Sequence, residues 1–435
     1  MSLERPFQPN MYLVAHPVGN VACIPTKSLD LSAEHAASHH PATFEEQQSY
    51  YLQAIEEKNR LVTFLRQKNY EMLNNNANVK VIDGTASFLS SHEIQVILSE
   101  TQTALLIQAE HIIISTGTVP FLPPIAGLAQ SKRVYTSTTL MECTQLPRHL
   151  IIIGSGYVGL EFASIYRAFG SQVTVLEQHA VFLPGQDRDI ADAVQQTMVA
   201  QGICFHFNAT VNSIEDGADH TSLTFVDSHG QCQIVTGDTI LVAVGRVPET
   251  SQLELERANV VVNKRGFVEV DEYLRTNIPD IWAIGDVNGG PQFTYISLDD
   301  YRIVRDQLYG NRQRSTLSRQ HIPYSVFLSP VLSRVGLSEE EALQHGYEIK
   351  VGKLAAAAST RAQMMGKTVG LLKAIVDART DKILGCTLYC IDSNEIINTV
   401  QMAMHAQMDY RVLRDTIFTH PSVSEVLNDL FGQIQ

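Results

Sequence analysis

Three glycines and one glutamate carry the clearest chemistry in the chain. They are Gly154, Gly156 and Gly159 of Gly154-Ser155-Gly156-Tyr157-Val158-Gly159, with Glu177 following at roughly the 20-residue distance at which an acidic residue meets a ribose 2′-hydroxyl. Each glycine answers a separate demand. Gly154 permits a tight turn, Gly156 lets backbone approach a pyrophosphate, and Gly159 lets a helix pack close to a strand. The phosphates would sit on the helix N-terminus, whose N–H groups and dipole favour anions. Glu177 favours NAD over NADP, because a carboxylate repels a 2′-phosphate. Asp286, behind Gly285, is a second candidate: a carboxylate at a strand end faces the ligand edge of an open α/β sheet, unless it only forms a turn. His420 and Glu425, five residues apart, read from spacing alone as a surface histidine and a helix-start glutamate.

The elements that must position these residues follow from pattern. Leu150 to Ile153 is a β-branched run that reads as a buried strand feeding the glycine turn, and a second strand, Val173 to Leu176, ends at Glu177. Ile190, Val194, Thr197 and Met198 mark a helical face that stops at Gly202, and a strand from Thr239 to Val244 meets a turn at Gly245-Arg246. Residues 147–270 thus read as one α/β domain. Upstream, the first 20 residues hold three prolines and no period, so they read as irregular. Thr43 and Glu46 are spaced as a capping box for a long helix with Leu52, Ile55, Val62 and Leu65 on one face. Short alternating runs between Val79 and Ile114 suggest strands, the last running into Gly117, and Pro120, Pro123 and Pro124 form an extended connector. Ile281 to Ile284 is a strand ending on Gly285-Asp286, a helix starts near Tyr295 and runs to Leu308, and Gly310 to Gln320 looks like a linker. Residues 321–435 alternate strands such as Tyr324 to Leu328 with helices, among them one that Ser338 and Glu341 would box, two near Asn394 to Ala406 and Tyr410 to Thr416, and a last one started by Pro421.

At 435 residues the chain needs two to four domains. A formal net charge of -14 speaks against nucleic acid or an anionic membrane as partner. The six cysteines, at 23, 143, 204, 232, 386 and 390, show no metal-type pairing with histidine, so no metal site is expected and most read as small core residues in a reducing compartment. No apolar run has transmembrane length and no signal peptide is visible, which makes the cytoplasm the expectation.

Taken together, six stretches resemble one family. CIPTK at 23–27, TGTVPFLPPIAG at 116–127, GSGYVGLE at 154–161, VGRVPET at 244–250, IWAIGDV at 281–287 and HPSVSE at 420–425 occur in the order seen in flavin-dependent pyridine nucleotide-disulfide oxidoreductases. The resemblance covers almost the whole chain from about position 20. Three further stretches, at 293–308, 323–342 and 418–431, look most like a bacterial reactive-chlorine-resistance subgroup, NADH-linked flavoproteins associated with copper(II) reduction.

The resemblance implies an α/β fold with two Rossmann-like nucleotide-binding domains, the first truncated at its N-terminus, and an α+β C-terminal dimerisation domain. Residues 1–146 and 271–320 would form the two parts of an FAD domain, 147–270 the NAD domain and 321–435 the interface of a homodimer. Hydride would pass from NAD(P)H to FAD and on to a small-molecule or metal-ion acceptor. Asp286 matches the residue that holds the flavin ribityl chain and Gly117 the turn near the FAD pyrophosphate. Thr294 opens the helix whose N-terminus would face the flavin N1/O2 edge. Tyr157 matches an aromatic gate, and Gly245 belongs to the cofactor set. Glu161 and Lys27 match a paired carboxylate and ammonium beside N5; the plainer reading is two unrelated surface charges. His420 and Glu425 match an acid/base dyad that serves the partner subunit's thiol.

Two departures stand against the pattern. Cys23 matches the second of two family cysteines five residues apart, but the first position is Val18, so no intrachain redox disulfide is expected there. Cys23 alone would be a flavin-facing thiolate or an isolated buried cysteine. Nothing before Cys23 resembles the strand, glycine turn and helix that hold the ADP half of FAD, so the flavin half is expected to lack a central strand. The preferred expectation is an FAD- and NAD(H)-dependent oxidoreductase; the contrasting one is a non-catalytic homologue that binds NADH and dimerises without stable flavin.

Overall fold

The computed structural model describes residues 11–15 and 23–434. They form two compact units, one of residues up to 26, 56–121 and 245–319, the other of 27–55, 122–244 and 320 onward. The chain passes from one to the other five times, twice inside a helix, in Cys23–Ser38 and in Phe44–Asn74.

The first unit is built on a three-stranded parallel sheet in which His111–Ser115 lies between Met11–Ala15 and Ile281–Ala283. The central run Ile112-Ile113-Ile114 shows why it is buried on both faces. Ile112 and Ile114 pack with Phe88, Ile94, Val96 and Ile107 of an antiparallel meander (Gly84–Phe88, Glu93–Leu98, Ala104–Gln108), whereas Ile113 points the other way, to Trp282 and to Ile303 and Val304 of the helix Thr294–Tyr309. The strand Met11–Ala15 corrects the irregular reading of the first 20 residues. It gains its partner in register with residues 111–115, a hundred positions away, and no local window can display that. The edge of His111–Ser115 that the sequence left without a neighbour is therefore hydrogen-bonded.

The second unit holds two five-stranded sheets and a three-stranded antiparallel one made of Thr210–Asp216, Thr221–Val226 and Cys232–Gly237. One five-stranded sheet is parallel, in the order Ile203–His206, Gln172–Leu176, His149–Ile153, Thr239–Val242, Val134–Thr136. Three consecutive strands run outward from His149–Ile153 in one direction and the chain returns on its other side, which creates a topological switch point between His149–Ile153 and Thr239–Val242. Helices Tyr157–Phe169 and Arg188–Ala200 cover it with Leu160, Ala163, Ile190 and Val194. The other five-stranded sheet is antiparallel, in the order Tyr324–Val326, Leu332–Gly336, Ile383–Tyr389, Leu371–Asp377, Ile349–Ala355, and packs against Ser393–His405 and Val426–Gly432.

Local signals met two different fates. The capping boxes Thr43/Glu46 and Ser338/Glu341 are both formed, each hydroxyl accepting from a backbone N–H three residues on. The face expected on the long helix is shifted: Ile55 and Val62 are buried, but Leu52 is 39% exposed and Tyr51 takes its place, its hydroxyl bonded to the Cys143 carbonyl and to Tyr166. An aromatic with a polar tip is invisible to a purely apolar count. The helix expected to start at Pro421 starts instead at Val426, because the Glu425 carboxylate accepts from His420 and from the Ser422 N–H and holds residues 420–425 in a turn.

Candidate functional site

At the switch point of the parallel sheet, the three glycines meet three different physical demands. Gly154 has φ +103°, and a Cβ there would lie 2.6 Å from the Ala243 carbonyl oxygen of the neighbouring strand's end. A Cβ on Gly159 would come within 2.1 Å of the Gly154 carbonyl oxygen. Gly156, by contrast, faces open space, with nothing within 4 Å of a Cβ placed on it, and it caps the helix Tyr157–Phe169 without a side-chain hydrogen bond. The first N–H groups of that helix are thus left to an outside acceptor.

Glu177 closes the same site. Its Oε2 accepts from the Ser155 N–H at 2.9 Å and the Ser155 hydroxyl at 2.8 Å, and its Oε1 accepts from the His179 N–H at 2.9 Å. Burial pushes this carboxyl up, but the bonds from His179 and Ser155 outweigh it and hold the group below the usual carboxylate range. A fixed, ionised carboxylate beside an uncapped helix start and an open glycine fits an adenine dinucleotide with a free ribose diol. Ser155, which sequence reasoning passed over, is the residue that ties turn and carboxylate together; its place inside the glycine motif was the available signal.

In the other unit, the ends of His111–Ser115 and Ile281–Ala283 converge on Asp286. Gly117 turns with φ +73° and its carbonyl accepts from the Glu249 N–H at 2.9 Å. Asp286 Oδ2 accepts from the Thr118 hydroxyl at 3.1 Å, and Arg246 donates to that hydroxyl at 2.7 Å and to the Thr118 carbonyl at 2.5 Å. Burial raises the Asp286 carboxyl despite the Thr118 bond and the Arg246 charge. The turn itself, Gly285–Asn288, is held by Asp300, which is 1% exposed and accepts from the Gly285 N–H at 2.7 Å and the Asn288 amide at 3.3 Å. Arg319 pairs with Asp300 and, at 2.8 Å, with Asp299. Among the described residues the buried Thr116 hydroxyl has no partner beside the Gly117 turn, an orphaned group that suits a polar ligand edge, and the residues present fit the FAD that the resemblance implies.

Cys23 is exposed, which corrects the alternative of a buried cysteine; its Sγ lies 3.4 Å from the hydroxyl of Thr294, first residue of the helix Thr294–Tyr309. The wider expectation for the cysteines also fails. Only Cys386 and Cys390 are buried, Cys143 is half-buried, and Cys204 and Cys232 are exposed on strands whose outer faces meet solvent. Val18 lies outside the described residues. Gly245 sits at φ +132° just before the strand Arg246–Pro248.

Lys27 and Glu161 form an ion pair at 2.7 Å rather than two separate surface charges. The second Glu161 oxygen accepts from the Phe327 N–H at 2.9 Å, and the Lys27 ammonium stands 4.5 Å from the Phe327 ring centroid. One turn along, burial, with Glu34 and Glu161 adding to it against Lys27 and Lys367, pushes the Asp30 carboxyl up to about 7. His420 Nδ1 donates to Glu425 at 2.9 Å, which leaves Nε2, on a ring that is largely exposed, to act on an outside group. The Ser422 N–H, then His420, hold Glu425 below the usual carboxylate range. Tyr157 opens its helix and stacks on Tyr324.

Comparison with known proteins follows this geometry. The family described as pyridine nucleotide-disulphide oxidoreductase matches residues 6–300, and its dimerisation domain matches residues 322–431. The probable pyridine nucleotide-disulfide oxidoreductase RclA of Escherichia coli K12 is 47% identical over 417 residues, 96% of this chain and 90% of that protein. A dihydrolipoyl dehydrogenase of Cupriavidus necator is 30% identical over 94% of this chain and 86% of its own length. The solved Cu(II) complex of the HOCl-induced flavoprotein disulfide reductase RclA from Escherichia coli superposes with a TM-score of 0.89 at 44% identity, covering 97% of this chain and 93% of that one. Among the described residues no helix is long and apolar enough to cross a membrane. The fold, the two nucleotide turns and these relatives agree: the chain belongs to the pyridine nucleotide-disulfide oxidoreductases and is an NAD(P)H-dependent flavoprotein oxidoreductase with FAD and NAD(H) as cofactors.

Proposed function

We propose that this protein is a cytoplasmic homodimer that oxidises NADH and passes the electrons through FAD to a small-molecule or metal-ion acceptor without an intrachain redox disulfide. The observation that carries the reading is Glu177, an ionised carboxylate locked by three hydrogen bonds at the mouth of the glycine turn. It accepts a ribose diol and repels a 2′-phosphate, so NADH is preferred. FAD, when bound, supplies the two-electron chemistry. The protein's own groups bind and orient. In this reading residues 1–146 and 271–320 hold flavin, 147–270 the dinucleotide, and 321–435 the partner subunit.

Asp286, placed by Thr118 and Arg246, anchors the flavin side chain, and Gly117 with Gly245 gives its backbone close approach. The Lys27–Glu161 pair keeps an ammonium fixed against Phe327, where it stabilises negative charge. The Thr294 hydroxyl, 3.4 Å from the Cys23 sulfur, positions it. His420, oriented by Glu425, moves a proton at Nε2 for a thiol or acceptor of the partner subunit. Copper(II) is the first acceptor to try, since the E. coli relative was solved as a Cu(II) complex.

The test is a visible spectrum of the purified protein followed by anaerobic titration with NADH and NADPH, then Cu(II) against a disulfide such as glutathione disulfide. Flavin bands that bleach with NADH and return with Cu(II) are expected. A protein that stays colourless after added FAD, or one that turns over the disulfide as fast as Cu(II), overturns the reading.

A further inference from the structure

Tyr157 is held by two residues from elsewhere in its own unit. Its ring stacks on that of Tyr324, with centroids 5.7 Å apart and planes 26° from parallel, and its hydroxyl donates to the Tyr324 hydroxyl at 3.4 Å. Gln186 then donates from one amide nitrogen to both phenol oxygens, at 2.6 Å to Tyr324 and 3.3 Å to Tyr157. The three side chains form one hydrogen-bonded triangle.

Its members differ in freedom. Gln186 is 4% exposed, and its loop is pinned by Arg188, which donates to the carbonyls of Phe182, Leu183 and Gln186, and by Arg334, which donates to that of Gly185 at 2.6 Å. Tyr324 opens the strand Tyr324–Val326, where its phenol is raised, chiefly by burial. Tyr157 is 38% exposed and is the member that can swing away. Among the described residues the buried Gln186 Oε1 has no partner, so the closed triangle leaves one acceptor unmet.

We infer that Tyr324 and Gln186 are a latch on the Tyr157 gate, and that opening the latch is a free-energy penalty charged to the nicotinamide end of the dinucleotide alone. This rests on the NADH reading above. A ligand that needs the open gate binds with its intrinsic affinity reduced by the open fraction, whereas one that stops at the ribose does not need it open. Tyr324→Phe keeps the ring stack but removes the shared hydroxyl, and Gln186→Met keeps the volume but removes the amide.

The experiment is calorimetric titration of the oxidised flavoprotein with NAD⁺ and, separately, with ADP-ribose, which lacks the nicotinamide. In each variant NAD⁺ is expected to bind about fivefold tighter, the factor carried by one net hydrogen bond, with ADP-ribose unchanged. An NAD⁺ affinity that stays the same or weakens in both variants overturns the latch. Equal shifts for both ligands overturn it too, since they mark a general change in the nucleotide site. Wild-type protein that binds neither ligand defeats the dinucleotide reading itself, and the latch with it.

Discussion

The turns at Gly154–Gly159 and Gly285–Asn288 both end a parallel strand on glycine, yet they are held by different means. The first is held by contact: two of its three glycines stand where a single added carbon would strike backbone oxygen, and its carboxylate, Glu177, bonds back to Ser155 in the turn. The second is held by charge, through a buried Asp300 that grips the Gly285 N–H and is itself gripped by Arg319. Contact of the first kind comes from the turn's own backbone at Gly154 and from the neighbouring strand's end at Ala243. The second kind borrows an arginine from 34 positions beyond Gly285.

That contrast breaks most visibly at Gly159. Gly159→Val places its Cβ against the Gly154 carbonyl, and ADP-ribose affinity is expected to fall about 100-fold, near 3 kcal/mol of overpacking, with flavin content retained. Calorimetry on the coloured protein checks both halves. The charged turn yields next. Arg319→Met leaves the nearly inaccessible Asp300 carboxylate without its cation, and urea unfolding should show a loss of about 2 kcal/mol, below the range for fully buried pairs because Arg319 keeps some contact with water. A loss from Arg319→Met within error would mean that Asp300 is held by the turn's own N–H groups.

The smallest effect, and the one that separates the turns by sign, is pH dependence. Glu177 is held below its unfolded value, so its stabilisation is present above the unfolded carboxylate range and is lost as pH falls through the folded one. Asp286 is raised, so its contribution is full below the unfolded value and is lost as pH rises through the folded one. As pH falls below about 4.3, the stability gap between wild type and Glu177→Gln should close, whereas the contribution of Asp286 measured against Asp286→Asn should decline as pH rises above about 3.9. Unfolding midpoints that drift in the same direction for both variants would end the contrast.

The same division explains what could be read in advance. The glycine turn, Glu177 and the two capping boxes were legible because each is complete within one local stretch, with side chain and backbone partner only a few residues apart or joined by a regular strand-helix-strand unit. Ordered motifs then supplied the family. Met11–Ala15 was not legible, since its strand character comes from pairing with His111–Ser115. Tyr324 and Gln186 were missed for the same reason: neither carries a local pattern, and their relation to Tyr157 exists only after folding. Pro421 misled because a proline marks a helix start only when the residues after it are free to wind, and here Glu425 binds them into a turn.

The segment 310–320, read from composition as a linker, ends on Arg319 and is clasped to the helix Thr294–Tyr309 at Asp299 and Asp300, with Arg314 adding a second hold on Asp299 at 3.0 Å. A mechanical pull on the chain beyond Gln320 would therefore load this ionic clasp before it reached the Gly285 turn. Residues inserted at 311–313 lengthen a loop whose ends stay fastened, at only about 0.6 kcal/mol for each doubling of its length. The same residues inserted after Arg319 leave the clasp untouched.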